Sequence, residues 1–273
     1  MAHRIAILGQ PRTGTTALFY RQKAVLPATT RCLFEPSRYV PDRQDAERGV
    51  LIKMLMGALP GEGYPAYDSL RVCDRLYGLV RDPRDRIVSA ILFLMHWAAP
   101  PRWPALYQRE GWAALMQLLR EKEHSPHRIP FAALFEEVMW LWFGLAPTQA
   151  QEWWYAQIMH TLQWYTRLHV TPRWYERLEN TRSLVPPLPL AREHWSILRS
   201  GSSGEWRQWF RPSDEAYFRP LFHEYMEEYG YPEDWSLAEP QVIHPGMSSR
   251  YVLKWARVRW LAARRATHGE SAS

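Results

Sequence analysis

Cysteine is scarce: Cys32 and Cys73 are the two in 273 residues. That excludes a disulfide framework and suits a reducing compartment. A long apolar run is missing too. The most apolar stretch, Phe131 to Ala146, is broken by Glu136 and Glu137 and stops at Pro147, so it does not read as a bilayer span. The apolar run Ile5 to Leu8 lies so close to Met1 that no secretory leader is expected ahead of it, and the expected location is cytoplasmic. No segment repeats at a solenoid period. No zinc spacing or RNA-binding aromatic signature accompanies the charge, so nucleic acid is not the expected partner. What the chain does have is a positive balance, formally +6 with a pI near 9.4, which suits an anionic nucleotide and equally an acidic polymer or a membrane surface.

The length suffices for an α/β domain with a substantial core. Ile5 to Leu8, Val50 to Leu55 and Leu76 to Val80 read as short buried strands, with Leu168 to Val170 as a weaker candidate. Strands alternating with helical stretches imply a parallel sheet with right-handed crossovers. The expected fold class is therefore α/β: a phosphate-loop type of parallel sheet flanked by helices. From Trp103 to Arg167 a helical, aromatic-rich insert is expected, in which Trp140, Trp142, Trp153, Trp154, Tyr155, Trp164 and Tyr165 read as helix-packing core. Its aromatic faces also make it the place to look for an acceptor pocket. Val185 to Leu190 is a proline-rich surface link. The expected division is a main domain over 1–238 and an extension over 239–273. Within the extension, Tyr251 to Arg265 sets Trp255 and Trp260 among Lys254, Arg257, Arg259, Arg264 and Arg265, a basic amphipathic helix suited to peripheral membrane contact.

Two segments carry chemistry. After Ile5 to Leu8 comes Gly9-Gln10-Pro11-Arg12-Thr13-Gly14-Thr15-Thr16, whose glycines have the spacing of G-x-x-x-x-G-K-[ST]. The lysine of that loop is missing, since Thr15 stands in its place. The backbone amides and hydroxyls of Thr13, Gly14, Thr15 and Thr16 can still cradle a phosphate at a helix N-terminus. Arg12 lies within reach of whatever is bonded to that phosphate. The second segment, Leu79 to Ala90, reads as a strand end, an Asp82-Pro83 turn and a helix. Arg81 and Ser89, eight positions apart, are placed to meet on one anion; otherwise the segment is a solvated helix start, as most such charge runs are.

These segments resemble sulfotransferases that use 3′-phosphoadenosine 5′-phosphosulfate (PAPS). Pro11-Arg12-Thr13-Gly14-Thr15-Thr16 is similar to the family's P-[KR]-[ST]-G-[ST]-[ST] loop, and Arg81 to Ser89 to its 3′-phosphate segment. Gly201-Ser202-Ser203-Gly204-Glu205-Trp206-Arg207 resembles the family's G-x-x-G-x-W-[KR] loop. Trp174-Tyr175-Glu176-Arg177-Leu178 is similar to a weaker signature, a Y-E-D-L strand end, with Arg in place of Asp. The resemblance implies PAPS as donor, 3′,5′-adenosine bisphosphate as product, no metal, and an alcohol or amine acceptor. It also implies that Gly204, Trp206 and Arg207 close over the nucleotide.

In the small-phenol members a histidine follows a Lys-Thr pair on the strand before the 3′-phosphate segment. Here that strand reads Lys53-Met54-Leu55, with Leu55 in the histidine position, so the phenol and steroid type is disfavoured. Leu33-Phe34-Glu35-Pro36 instead resembles the F-E-P element of carbohydrate sulfotransferases. Glu35 is thus the expected general base, with Arg12 and Lys53 as cations near the sulfuryl group, and His96 and His160 as reserve bases. The expected acceptor is a hydroxyl on a carbohydrate, a glycolipid or a glycosylated natural product. Two alternatives stay open: a phosphate-loop kinase of small metabolites, which the missing lysine disfavours, and a nucleotide-binding protein of this fold without catalysis. Oligomeric state is open.

Overall fold

Short runs of aliphatic residues make strands when neighbouring elements cover them on both faces. In the computed structural model, which describes residues 3–97, 110–178 and 203–267, five such strands form one parallel sheet. They are β1 (Arg4–Gly9), β2 (Arg31–Phe34), β3 (Val50–Leu55), β4 (Arg75–Val80) and β5 (Arg173–Trp174), in the order β2-β3-β1-β4-β5. β1 lies in the middle between β3 and β4, and Ala6, Ile7, Leu8, Val50, Leu51 and Ile52 are fully buried.

Side chains alternate across a strand, so register assigns a face to each residue. Ile5, Ile7 and Leu51 pack with Phe19 of α1 (Thr15–Val25) on one face, together with Tyr77 of β4. Gly78 points to the other face, where a Cβ would come within 2.6 Å of Val170 Cγ1 and 3.0 Å of Tyr165 Cε1. Tyr165 belongs to α6 (Pro147–Arg167), and its hydroxyl accepts from the Leu79 amide (3.1 Å) and donates to the Leu79 carbonyl (2.9 Å). Helices therefore flank the sheet on both faces, as the expected fold class requires. Gly78 is the residue that lets α6 approach so closely.

The chain divides into two units. The first comprises Met1–Arg86, Trp153–Leu198 and Glu227–Gly230 and contains the sheet. The second comprises Ile87–Glu152, Arg199–Met226 and Tyr231–Ser273. The C-terminal extension expected from residue 239 falls inside this second unit. The remaining helices are α2 (Asp45–Arg48), α3 (Pro83–Trp97), α4 (Glu110–His124), α5 (Phe131–Phe143), α7 (Tyr175–Leu178), α8 (Trp206–Trp209), α9 (Pro212–Tyr229) and α10 (Ser249–Thr267).

In the second unit, Asp214 caps α5 from α9: its carboxylate accepts from the amides of Phe131 and Ala132, each at 2.8 Å. Lys122 is fully buried and donates to the carbonyls of Pro126 and Ile129, both at 2.6 Å. Burial pulls its pKa down to about 8. In the aromatic insert Trp142 packs as expected, stacking on Trp97 (5.2 Å) and donating from its indole to the Leu94 carbonyl (3.0 Å), whereas Trp140, expected in the core, is exposed.

Two strand expectations are corrected. Leu168 to Val170 is not a strand: it follows the end of α6, with His169 in left-handed backbone at φ 53°. Thr171 and Pro172 come next, and the edge strand is the pair Arg173–Trp174 beyond them. β2, which the sequence did not single out as a strand, pairs with β3 from Arg31↔Val50 to Phe34↔Lys53. The proline-rich link at 185–190 lies outside the described residues.

Candidate active site

In parallel α/β sheets, ligands bind at the carboxyl ends of the strands. Segments from all five strands of the first unit contribute there. β1 ends at Gly9, where a Cβ would lie 2.5 Å from Thr13 Oγ1 and 2.7 Å from Thr15 Cγ2, so only glycine lets the loop fold back on the strand. Thr13 Oγ1 closes the loop by donating to the Gln10 carbonyl at 2.7 Å. Arg12 and Gly14 take left-handed backbone at φ 74° and 86°. Gly14 is the N-cap of α1; no side chain caps the helix and its first turn holds no acid. The amides at that end are thus presented to an incoming anion rather than to a capping side chain. Thr13 and Thr15 are buried, and Thr16 is half-buried.

Glu35 follows β2 directly, and its amide donates to the Lys53 carbonyl at 2.7 Å, extending the β2–β3 ladder by one residue. Its backbone is also left-handed, φ 55°. Strain of this kind persists only where the surroundings fix it. Lys53 is the one charged residue in an otherwise apolar β3. Its ammonium is hydrogen-bonded to Glu35 Oε1 and lies 4.1 Å from the centre of the Phe34 ring. Lys53 is 1% exposed while Glu35 is 39% exposed, so the carboxylate stands in front and the lysine behind it. Burial lowers the Lys53 pKa, the Glu35 charge and hydrogen bond oppose that, and the nearby Arg12 charge lowers it further. The structure thus brings Glu35, Lys53 and Arg12 together.

Arg81 sits one residue past β4, buried, and donates to the Arg12 carbonyl at 3.2 Å. Its guanidinium lies 4.8 Å from the centre of the Tyr175 ring, and the same ring abuts Gly14, where a Cβ would be 2.5 Å from Tyr175 Cδ2. Glu176 accepts from the Asp82 amide at 2.9 Å. The segment 81–86 is not a solvated charge run: Arg81, Asp82, Arg84, Asp85 and Arg86 are all buried. Asp82 caps α3 by accepting from the Arg84 amide (2.9 Å), and it takes a two-pronged contact from the Arg84 guanidinium at 2.9 and 2.7 Å.

Sequence reasoning left two groups out of the site. Tyr175 and Glu176 belong to the weakest of the four signatures, which gave no sign that they clasp both Gly14 and Asp82. The second group lines the end of β3. There the Gln157 side chain accepts from the Ala58 amide (2.9 Å) and donates to the Tyr64 hydroxyl (2.9 Å), while the Gln157 backbone carbonyl accepts from the Gln10 side chain of the loop (3.1 Å). His160, one helical turn along α6, stacks on Tyr64 at 3.6 Å, and burial lowers its pKa. The other reserve base, His96, is buried among Phe93, Tyr251 and Trp255 of the second unit.

The remaining expected site residues lie in the second unit. Ser89 is buried on α3. Gly204 has φ 78°. Trp206 is a core residue, 1% exposed and packed on Phe210 and Trp235. Arg207 donates to Asp234 (2.7 Å), to Ser236 Oγ (2.6 Å) and to the Ser236 carbonyl. Gly201 and Ser202 lie outside the described residues.

No protein-family model matches the chain, and no curated protein matches it. Among solved structures it is similar to mouse sulfotransferase SULT7A1 complexed with PAP, at 15% identity and a TM-score of 0.42, over 82% of this chain and 85% of that one.

Proposed function

We propose that this protein is a sulfotransferase that moves a sulfuryl group from PAPS to a hydroxyl of an acceptor. The observation that carries the reading is the trio at the sheet's carboxyl edge. A half-exposed carboxylate, Glu35, is paired with a buried ammonium, Lys53, and the charge of Arg12 in the loop acts on that ammonium. Two of the three have left-handed backbone.

The residues suit the donor's charge. The loop has a cradle at Gly9 that a Cβ would fill, and an uncapped helix N-terminus to receive a 5′-phosphate. Arg81, anchored on the Arg12 carbonyl and the Tyr175 ring, adds a fixed cation beside the loop for the ribose 3′-phosphate. When bound, the donor supplies a sulfuryl group bonded to a phosphate leaving group. Glu35 takes the acceptor's proton, since its carboxylate can be reached from solvent. Arg12 supplies positive charge for the negative charge that grows on the leaving oxygen, with Lys53, behind Glu35, as a second cation near the sulfuryl group. The proposed acceptor is a sugar hydroxyl, on a glycan, a glycolipid or a glycosylated product. The exposed Tyr64 face, stacked on His160 and tied through Gln157 to the loop, offers a flat surface for such a ring. Both cysteines are free thiols, which suits a cytoplasmic enzyme.

The test is transfer of radiolabelled sulfate from PAPS to a panel of glycan, glycolipid and phenol acceptors, with Glu35→Gln beside wild type. The reading expects transfer to a sugar acceptor and a loss of about 10²- to 10⁴-fold in kcat for Glu35→Gln. Transfer unaffected by Glu35→Gln would remove Glu35 as the base. Absence of transfer with every acceptor, despite nucleotide binding, would favour a non-catalytic protein.

A further inference from the structure

We propose that the outer face of α10 docks on an anionic lipid surface. The helix runs from Ser249 to Thr267 with six Lys and Arg residues and no Asp or Glu. Its inner side is accounted for. Tyr251, Val252 and Ala256 are buried, Trp255 lies 6.3 Å from His96, and the Arg259 guanidinium lies over the Phe93 ring at 5.5 Å. On the other side Arg250, Lys254, Arg257 and Leu261 are all exposed. At 3.6 residues per turn these four fall within about 60° of arc, a straight cationic ridge ending in a leucine. Val258 and Trp260, exposed by 45% and 42%, flank the ridge at about 80° on either side.

That mixture selects the partner. A surface built for nucleic acid or an acidic polymer needs cations and gains little from exposed aliphatic groups between them. A lipid interface uses both: the cations of the ridge reach headgroup phosphates while Leu261, at its end, enters the acyl boundary, and Val258 and Trp260 border the contact on either side. The helix lies along such a surface rather than through it, because no helix among the described residues is long and apolar enough to cross a membrane. This inference is independent of the sulfotransferase reading.

The experiment is sedimentation of the full chain with vesicles of phosphatidylcholine, with and without about one third phosphatidylglycerol, at low and high salt. Three forms are compared: wild type, the triple variant Arg250→Glu/Lys254→Glu/Arg257→Glu, and the double variant Val258→Ser/Leu261→Ser. Wild type is expected to pellet with the anionic vesicles alone and to be released by salt. The triple variant should lose at least ~100-fold in partitioning and the double variant about tenfold. Circular dichroism checks folding; should the triple variant unfold, Lys254→Gln/Arg257→Gln replaces it, with a loss of at least ~10-fold expected. The proposal is overturned if wild type stays in the supernatant, if it pellets equally with neutral vesicles, or if the charge variants pellet like wild type. It is also overturned if the double variant binds vesicles unchanged while short RNA displaces wild type, which would make the face an acidic-polymer site.

Discussion

Removing Glu35 and removing Lys53 should have unequal consequences, although they are partners in one ion pair. Lys53 is buried and Glu35 is 39% exposed. Glu35→Gln leaves an ammonium in the interior without its counter-charge, a loss expected to cost about 1–2 kcal/mol at pH 7, at the low end for a buried pair because water reaches Glu35. Lys53→Met takes away the buried charge, keeps most of its volume, and leaves Glu35 to the solvent. It should cost less than about 1 kcal/mol or stabilise, and the double variant should recover most of the Glu35→Gln loss. The pH dependence carries a definite sign. Lys53 titrates at an ordinary 10.5 in the unfolded chain and below that when folded, through burial, opposed by Glu35. Without Glu35 only burial and Arg12 remain, and both lower it further. Between the folded and unfolded pKa values the unfolded chain binds more protons, so stability rises with pH, and it starts to rise at lower pH in Glu35→Gln. The deficit of Glu35→Gln against wild type should therefore shrink from pH 7 toward pH 9.5, a range set by the ordinary lysine value. Urea unfolding followed by far-ultraviolet circular dichroism reads all of this. A deficit that does not change with pH, or Lys53→Met costing as much as Glu35→Gln, would refute the reasoning.

Gly14→Ala places a Cβ at φ 86° and 2.5 Å from Tyr175 Cδ2. It should destabilise by about 2–3 kcal/mol in urea unfolding and weaken nucleotide binding, because the Tyr175 ring under Arg81 must move. Lys122, held near pH 8 against 10.5 unfolded, should make wild type gain stability between pH 8 and pH 10.5. That gain should reach at most about 3 kcal/mol and be absent from Lys122→Met, as read by urea midpoints at each pH. Gly78→Ala, whose Cβ would meet Val170 Cγ1 at 2.6 Å, should lower thermal stability by about 1–3 kcal/mol without changing the pH profile of any activity.

The loop's glycine spacing and the central strands were legible because each rests on local chemistry, glycines at fixed spacing and unbroken aliphatic runs; Glu35 and Lys53 were singled out by family resemblance, and nothing local announced their ion pair. β2 was not, because Arg31-Cys32-Leu33-Phe34 is a four-residue edge strand with both ends exposed, and its identity comes from pairing with β3. Leu168 to Val170 is apolar for another reason: Leu168 and Val170 are buried at the end of α6, and Val170 covers Gly78. Charge runs ordinarily face water, so nothing in residues 81–86 announced that all but Pro83 of them are buried charges. Tyr175 against Gly14 and Arg207 against Asp234 are long-range contacts that leave no periodic trace. Trp206, the motif position expected to cover the nucleotide, packs on Phe210 and Trp235, contacts that its motif did not announce.

The central claim is that the loop and Arg81 hold a nucleotide carrying both a 5′- and a 3′-phosphate. Calorimetric titration of 3′,5′-adenosine bisphosphate, 5′-AMP and ATP into wild type and Arg81→Ala tests it most directly. The account predicts tight binding of the bisphosphate, at least ~10-fold weaker binding of 5′-AMP, and a similar loss for the bisphosphate in Arg81→Ala, the magnitude of one charge-assisted contact. A preference for ATP, or bisphosphate binding indifferent to both the 3′-phosphate and Arg81, would contradict it.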